Sequence, residues 1–234
     1  MESRTLEFPF SADWDAVRWV TSKPVELFRS LPFEGEVKEE KPLRAKISLR
    51  RRFLRFDFEG SLEATFADST ATYVMKGFKG LLILSFSVGD DRLVSRASAD
   101  LVERFLGRKL SELARGFGLA VCRFAESYRE IEEVLLPLGR EEFYVRNLTG
   151  DKLPHLVRHL RFSTGLRSFE VVGEGETGKF IIRINDDSVE NVEHYNTSGS
   201  AIVEVGKPLL EVGEEDFGGL EIRGEHRITL HRPP

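Results

Sequence analysis

Leu101-Val102-Glu103-Arg104-Phe105-Leu106-Gly107-Arg108-Lys109-Leu110-Ser111-Glu112-Leu113-Ala114-Arg115-Gly116-Phe117-Gly118-Leu119-Ala120-Val121-Cys122-Arg123-Phe124-Ala125-Glu126-Ser127-Tyr128-Arg129-Glu130-Ile131 is the stretch on which the fold turns. Apolar residues fall at Val102, Phe105, Leu106, Leu110, Leu113, Phe117, Val121, Phe124, Tyr128 and Ile131. Spacings of three and four predict one amphipathic helix about eight turns long. Asp100 with Glu103 three residues later reads as a capping-box start. Gly116 and Gly118 each cost such a helix about 1 kcal/mol relative to Ala. Either another part of the chain packs closely there, or room is left for a bound molecule.

Upstream the period changes from helical to alternating. Leu43, Ala45, Ile47 and Leu49 alternate with Arg44, Lys46, Ser48 and Arg50, a half-buried antiparallel strand. Leu54, Phe56, Phe58, Leu62, Ala64 and Phe66 then take the even positions, so a turn or bulge is expected at Arg50-Arg51-Arg52. Further strands follow over 71–78, 82–88 and 93–99, with turns at 67–70, 77–80 and 89–91. A strand over 33–40 completes six in succession. Ahead of them come an edge strand over 4–10 and two short helices over 13–21 and 23–31.

Composition bounds the rest. The chain has 234 residues with formal net charge −5, and 31% of them are charged. No stretch approaches the ~20 apolar residues of a transmembrane helix, so no stable membrane insertion is expected. The first residues, Met1-Glu2-Ser3-Arg4-Thr5-Leu6-Glu7, lack a basic region followed by an apolar run. With one cysteine, Cys122, this points to a cytoplasmic chain without disulfides. Glutamine is absent and asparagine occurs only at 147, 185, 191 and 196, the composition of a heat-adapted protein. Residues 1–130 carry net +2 and residues 131–234 net −7; all five histidines lie in the second part. Pro137 and Gly139 interrupt the pattern, so domains are expected at 1–135 and 141–234.

The element order over 1–135, from Leu6-Glu7-Phe8-Pro9-Phe10-Ser11-Ala12-Asp13-Trp14-Asp15-Ala16-Val17 to the long helix with Gly107-Arg108-Lys109-Leu110, resembles the helix-grip fold of the START-like (SRPBCC) superfamily. That superfamily includes Bet v 1-like proteins, polyketide cyclases and CoxG-like proteins. The resemblance covers about the first 130 residues and rests on element order rather than a diagnostic motif. It implies a curved antiparallel sheet gripping the last helix over an apolar cavity that holds lipids or other hydrophobic ligands. The residues expected to line it are Phe56, Phe58, Phe66, Tyr73, Leu84 and Phe86 from the sheet, with Phe117, Val121 and Phe124 from the helix. The same aromatic residues would equally build a dry core.

The second part reads as β-α-β-β-α-β: strand 143–148, helix 151–163, strands 169–172 and 180–184, a weak helix 188–195 and strand 201–205. That order suits a ferredoxin-like α+β layer, followed by a further hairpin at 209–212 and 220–230. The whole chain is thus expected to be α+β.

Several constellations carry less. His155 and His159 stand four apart on a helix, but Leu156 occupies the place of a metalloprotease glutamate, so no metal is expected. Arg44, Lys46, Arg50, Arg51, Arg52 and Arg55 form a basic segment. Nearby Glu36, Glu39, Glu40, Asp57 and Glu59 can pair with it, and the acidic total argues against nucleic acid. Gly173-Glu174-Gly175-Glu176-Thr177-Gly178 matches G-x-G-x-x-G by letter, yet it lies between two strands and carries acids, unlike a phosphate loop. Cys122, in a part of the chain without histidine, reads as an inert core thiol. The expected function is therefore non-catalytic binding or carriage of a hydrophobic, lipid-like molecule, with no cofactor. The first alternative is a solid scaffold whose acidic second domain docks a protein partner. The second is a cyclase or hydratase using Tyr73, Glu59 and Glu63.

Overall fold

The computed structural model describes residues 1–39, 41–51, 54–101, 106–217 and 219–232. They form two compact units, Met1–Glu126 and Ser127–Pro234. The division falls inside the long helix. Ile131, at the end of that helix, is fully buried among the core residues of the second unit, and Val134 and Leu135 pack on the same cluster. Among the described residues no helix is long and apolar enough to cross a membrane.

In the first unit, β1 (Glu2–Pro9) leads through α1 (Trp14–Thr21) and α2 (Pro24–Arg29) into a six-strand run. The run comprises β2 (Glu34–Lys38), β3 (Arg44–Arg51), β4 (Leu54–Ala67), β5 (Thr70–Gly77), β6 (Gly80–Val88) and β7 (Arg92–Leu101), followed by α3 (Leu106–Ile131). The sheet order is β1-β7-β6-β5-β4-β3-β2, every neighbouring pair antiparallel. Arg51 pairs with Leu54, an odd register sum that sets the odd residues of β3 across from the even residues of β4. That register accounts for the parity change around the arginines; Arg52 and Phe53 lie outside the described residues. The N-terminus of α1 is capped by the Asp13 carboxylate, which accepts from the Ala16 N–H at 2.9 Å. The capping box expected from Asp100 and Glu103 falls on 102–105, which lie outside the described residues. Asp100 lies in β7 opposite Leu81, and the ladder runs on to Gly80 and Leu101.

Alternation places Ala71, Tyr73 and Met75 of β5 and Leu82, Leu84 and Phe86 of β6 in the core. Against them α3 buries Leu110, Leu113, Ala114, Phe117, Ala120, Val121, Phe124 and Ala125. The two layers are also tied by Ser95, whose hydroxyl donates to the Ala114 carbonyl at 2.8 Å in the buried interior. The helix glycines serve close packing. A Cβ on Gly116 would strike the Phe33 ring, and one on Gly118 would strike the Phe8 ring and come within 2.8 Å of the Ser95 Cβ.

The second unit contains β8 (Leu135–Pro137), β9 (Glu142–Thr149), α4 (Leu153–Thr164), β10 (Phe169–Gly175), β11 (Gly178–Asn185), β12 (Ser188–Asn196), β13 (Gly199–Pro208) and β14 (Arg223–His231). Its sheet order is β13-β12-β11-β10-β14-β9-β8. The expected second helix over 188–195 is a strand, so the ferredoxin-like order is not formed. The cause is a bulge: the pairings of β12 with β11 and with β13 both shift between Val189 and Asn191. The extra residue turns Val189 and Val192 to the same side, an apolar spacing of three that imitates a helix. α4 ends on Gly165 in the left-handed region. Its buried Arg161 grips Asp187 through two hydrogen bonds, 2.6 and 3.1 Å.

Gly118→Ala tests the packing against propensity. Helix propensity alone favours Ala by about 1 kcal/mol, whereas overpacking costs typically 1–3 kcal/mol. Denaturant melts should show net destabilisation. A second test concerns His226, almost fully buried on the core side of β14. Burial lowers its pKa, the hydrogen bond to the Gly224 carbonyl raises it, and His194 lowers it further. The folded state therefore favours the neutral ring, and its stabilising contribution is lost as pH falls below the ordinary histidine value. Melting temperature should decline from pH 7 to 5, and His226→Phe should flatten that decline.

Candidate functional site: the aromatic layer between the first sheet and the long helix

Strand alternation and the helical stripe converge on one layer. Of the nine expected lining residues, Phe56, Phe58, Tyr73, Leu84, Phe86, Phe117, Val121 and Phe124 are buried. Phe66 is not: it is 38% exposed. β4 is fourteen residues long, and from Glu63 to Ala67 every residue is exposed, so Phe66 keeps the parity of Phe56 and Phe58 but lies past the covered part of the sheet.

Phe117 is the centre of the layer. Its ring meets Phe28 at 5.0 Å, Phe33 at 6.0 Å and Phe86 at 6.2 Å between centroids. Tyr73 joins Phe28 at 5.9 Å and Phe86 at 6.0 Å, both edge-on. These are favourable aromatic geometries, worth about 0.5–1.5 kcal/mol per pair beyond area burial. Phe28 and Phe33 were not among the expected lining residues. The available signal was Leu27-Phe28 followed by Leu31, an apolar edge on a helix too short to be stable alone.

A second aromatic group sits apart from this network. Phe56 and Phe58 stack nearly parallel at 6.4 Å, and the Lys109 ammonium stands 5.4 Å from the Phe56 ring centroid. Lys109 is half-buried on the first turns of α3.

The polar groups at this layer are committed to structure. The Tyr73 hydroxyl donates to the Thr21 carbonyl at the end of α1, and burial pushes its pKa far above the ordinary tyrosine value. The phenol thus stays protonated and its proton is engaged. Glu59 and Glu63, expected as cavity acids, lie on the exposed side of β4, with Glu63 3.5 Å from Lys76. On that outer face, hydrogen bonds from Ser48 and Arg55 hold the Asp57 carboxyl below its ordinary range.

The remaining motifs resolve into structural roles. Lys46 lies across from Glu36 and Glu59 in register, and Arg50 approaches Glu34 at 4.0 Å. Arg52 and Glu40 lie outside the described residues. His155 Nδ1 is 3.3 Å from the Ser127 hydroxyl, whereas His159 stacks on Tyr128 at 6.1 Å. Among the described residues no three His, Cys, Asp or Glu side chains gather around a metal position. The G-x-G-x-x-G letters span the β10–β11 hairpin. The Phe180 ring covers Gly173 and the His226 ring covers Gly175, so side chains there would collide with packed rings. The buried Cys122 thiol lies 3.5 Å from the Pro9 carbonyl.

No protein-family model matches the chain, and no curated protein matches it. Among solved structures, it is similar to the di-domain ARO/CYC StfQ of the steffimycin biosynthetic pathway at 9% identity, covering 100% of this chain and 85% of that one, with a TM-score of 0.39. The di-domain ARO/CYC BexL of the BE-7585A biosynthetic pathway is similar at 12% identity, covering 99% of this chain and 86% of that one, with a TM-score of 0.40. The ginseng major latex-like protein 151 from Panax ginseng is 12% identical, covering 54% of this chain and 96% of that one, with a TM-score of 0.39. Likenesses this slight place the chain in no family. The chain's own strand order and long helix define it as α+β, built on two large antiparallel sheets.

Proposed function

We propose that the first unit binds a hydrophobic small molecule between its sheet and α3, as a helix-grip carrier or sensor without chemistry of its own. The observation that carries this reading is the aromatic layer itself: large apolar walls from β4, β5, β6 and α3 facing one another, with one phenol whose proton is tied to a backbone carbonyl. Ligand pockets are mostly apolar walls with few polar groups. The cyclase or hydratase reading loses support, because Glu59 and Glu63 face away from the layer and Tyr73 is engaged.

A second reading is favoured by a specific observation. Phe117 is surrounded by three rings, and Gly116 and Gly118 are filled by Phe33 and Phe8, as in a solid scaffold. On that reading the acidic second unit docks a basic protein partner.

Native mass spectrometry after incubation with a total lipid extract distinguishes them. A carrier retains an adduct, and a long-chain fatty acid raises the melting temperature by mass action. Val121→Trp, which fills the layer, should abolish both while Glu63→Gln leaves both intact. Bare protein at every lipid concentration, with no thermal shift, would favour the scaffold.

A further inference from the structure

Each sheet has two edge strands, and three of the four are guarded. β1 carries Glu2, Arg4, Glu7 and Pro9; β2 has only five residues, with Glu34, Glu36 and Lys38; β8 has three and ends on Pro137. Charges, prolines and short length are the devices that stop edge strands from pairing with another chain. β13 is different. Its first five residues, Gly199-Ser200-Ala201-Ile202-Val203, hold no charge and no proline. Its guards are a left-handed Gly206, Lys207, Pro208 and the shift in pairing opposite Val189 and Asn191, all in the other half. Gly199 to Ile202 are exposed in succession, with Ile202 63% exposed.

We propose that β13 pairs antiparallel with β13 of a second copy of this chain, centred on Ile202. The pattern of the strand selects this occupant. Ser200, Ile202 and Glu204 share the outer face with Tyr195, Glu193 and Asn191, while Ala201 and Val203 share the core face with His194 and Val192. Residues directly opposite in an antiparallel pair point to the same side of the sheet. Two-fold pairing about Ile202 sets Ile202 against itself, Ala201 against Val203 and Ser200 against Glu204. Both faces then continue into the second copy, and each carboxylate meets a hydroxyl. The two Glu204 side chains stand four residues apart along the strand direction, about 13 Å, beyond the screening length of about 8 Å at physiological salt. Moving the centre to Val203 would set Ile202 against Glu204. A slip of one residue would join the core face of one copy to the outer face of the other. A basic peptide is the weaker match: residues 131–234 carry net −7, yet this segment offers it no charge before Glu204. Interfaces under about 1,200 Å² are weak, so a pairing this short is reversible and grows with concentration.

Two measurements on the full chain test it. Sedimentation velocity should show monomer giving way to dimer as concentration rises, and Ile202→Lys should hold the monomer throughout with an unchanged melting temperature. Cys122 is buried, so an introduced cysteine is the accessible thiol. Under mild oxidation Ile202→Cys should give a disulfide-linked dimer, since directly opposed Cα atoms lie within disulfide reach. Glu204→Cys should link at least several-fold less. A wild type that stays monomeric while Ile202→Cys fails to link overturns the proposal. So does a dimer that survives Ile202→Lys, or equal linking at 202 and 204.

Discussion

The first unit depends on how closely the backbone of α3 approaches the layer beneath it. At Gly116 and Gly118 the helix has no side chain, and the Phe33 and Phe8 rings occupy the space instead. Ser95 then reaches the Ala114 carbonyl, a hydrogen bond that a helix held farther away could not form. With that separation set, Phe117 drops between Phe28, Phe33 and Phe86, and the edge-on ring geometry follows. The two glycines lower the helix's own propensity and are offset by contacts that only a short separation allows.

The second unit is held by different means. There α4 packs on the sheet, and two of its buried arginines reach the chain beyond β11. Arg161 and Arg167 both bind Asp187, whose backbone takes the left-handed conformation and whose carbonyl accepts from Leu209. Arg158 donates to the Leu209 and Val212 carbonyls, which fastens the segment after β13 to the same helix. Arg161 is fully buried, so loss of Asp187 would leave its charge uncompensated, and that pair acts as an anchor.

Much of this was legible in the residues. The alternation in β5 and β6 and the stripe from Leu110 to Phe124 are local signals, and burial follows them. What was not legible depends on pairing between distant segments. Val189 and Val192 look helical until the bulge that separates them is known. Phe66 has the parity of a core residue, and only the extent of the covered sheet shows that it is exposed. At the candidate site the sheet and helix walls were readable from period alone. Phe28 and Phe33 were not, because their place beside Phe117 is set by how the short helix α2 and the start of β2 fold over the layer.

Carrier and scaffold share one requirement, that α3 and the sheet behave as a single cooperative layer around Phe117. Native-state amide hydrogen exchange addresses this most directly, because it reads the opening free energy of each segment separately. If the close approach at Gly116 and Gly118 holds the layer together, amides over 110–121 should open with the same free energy as those of β6 and β7. Exchange of the helix amides at the level of frayed ends, with the sheet still protected, would contradict the account.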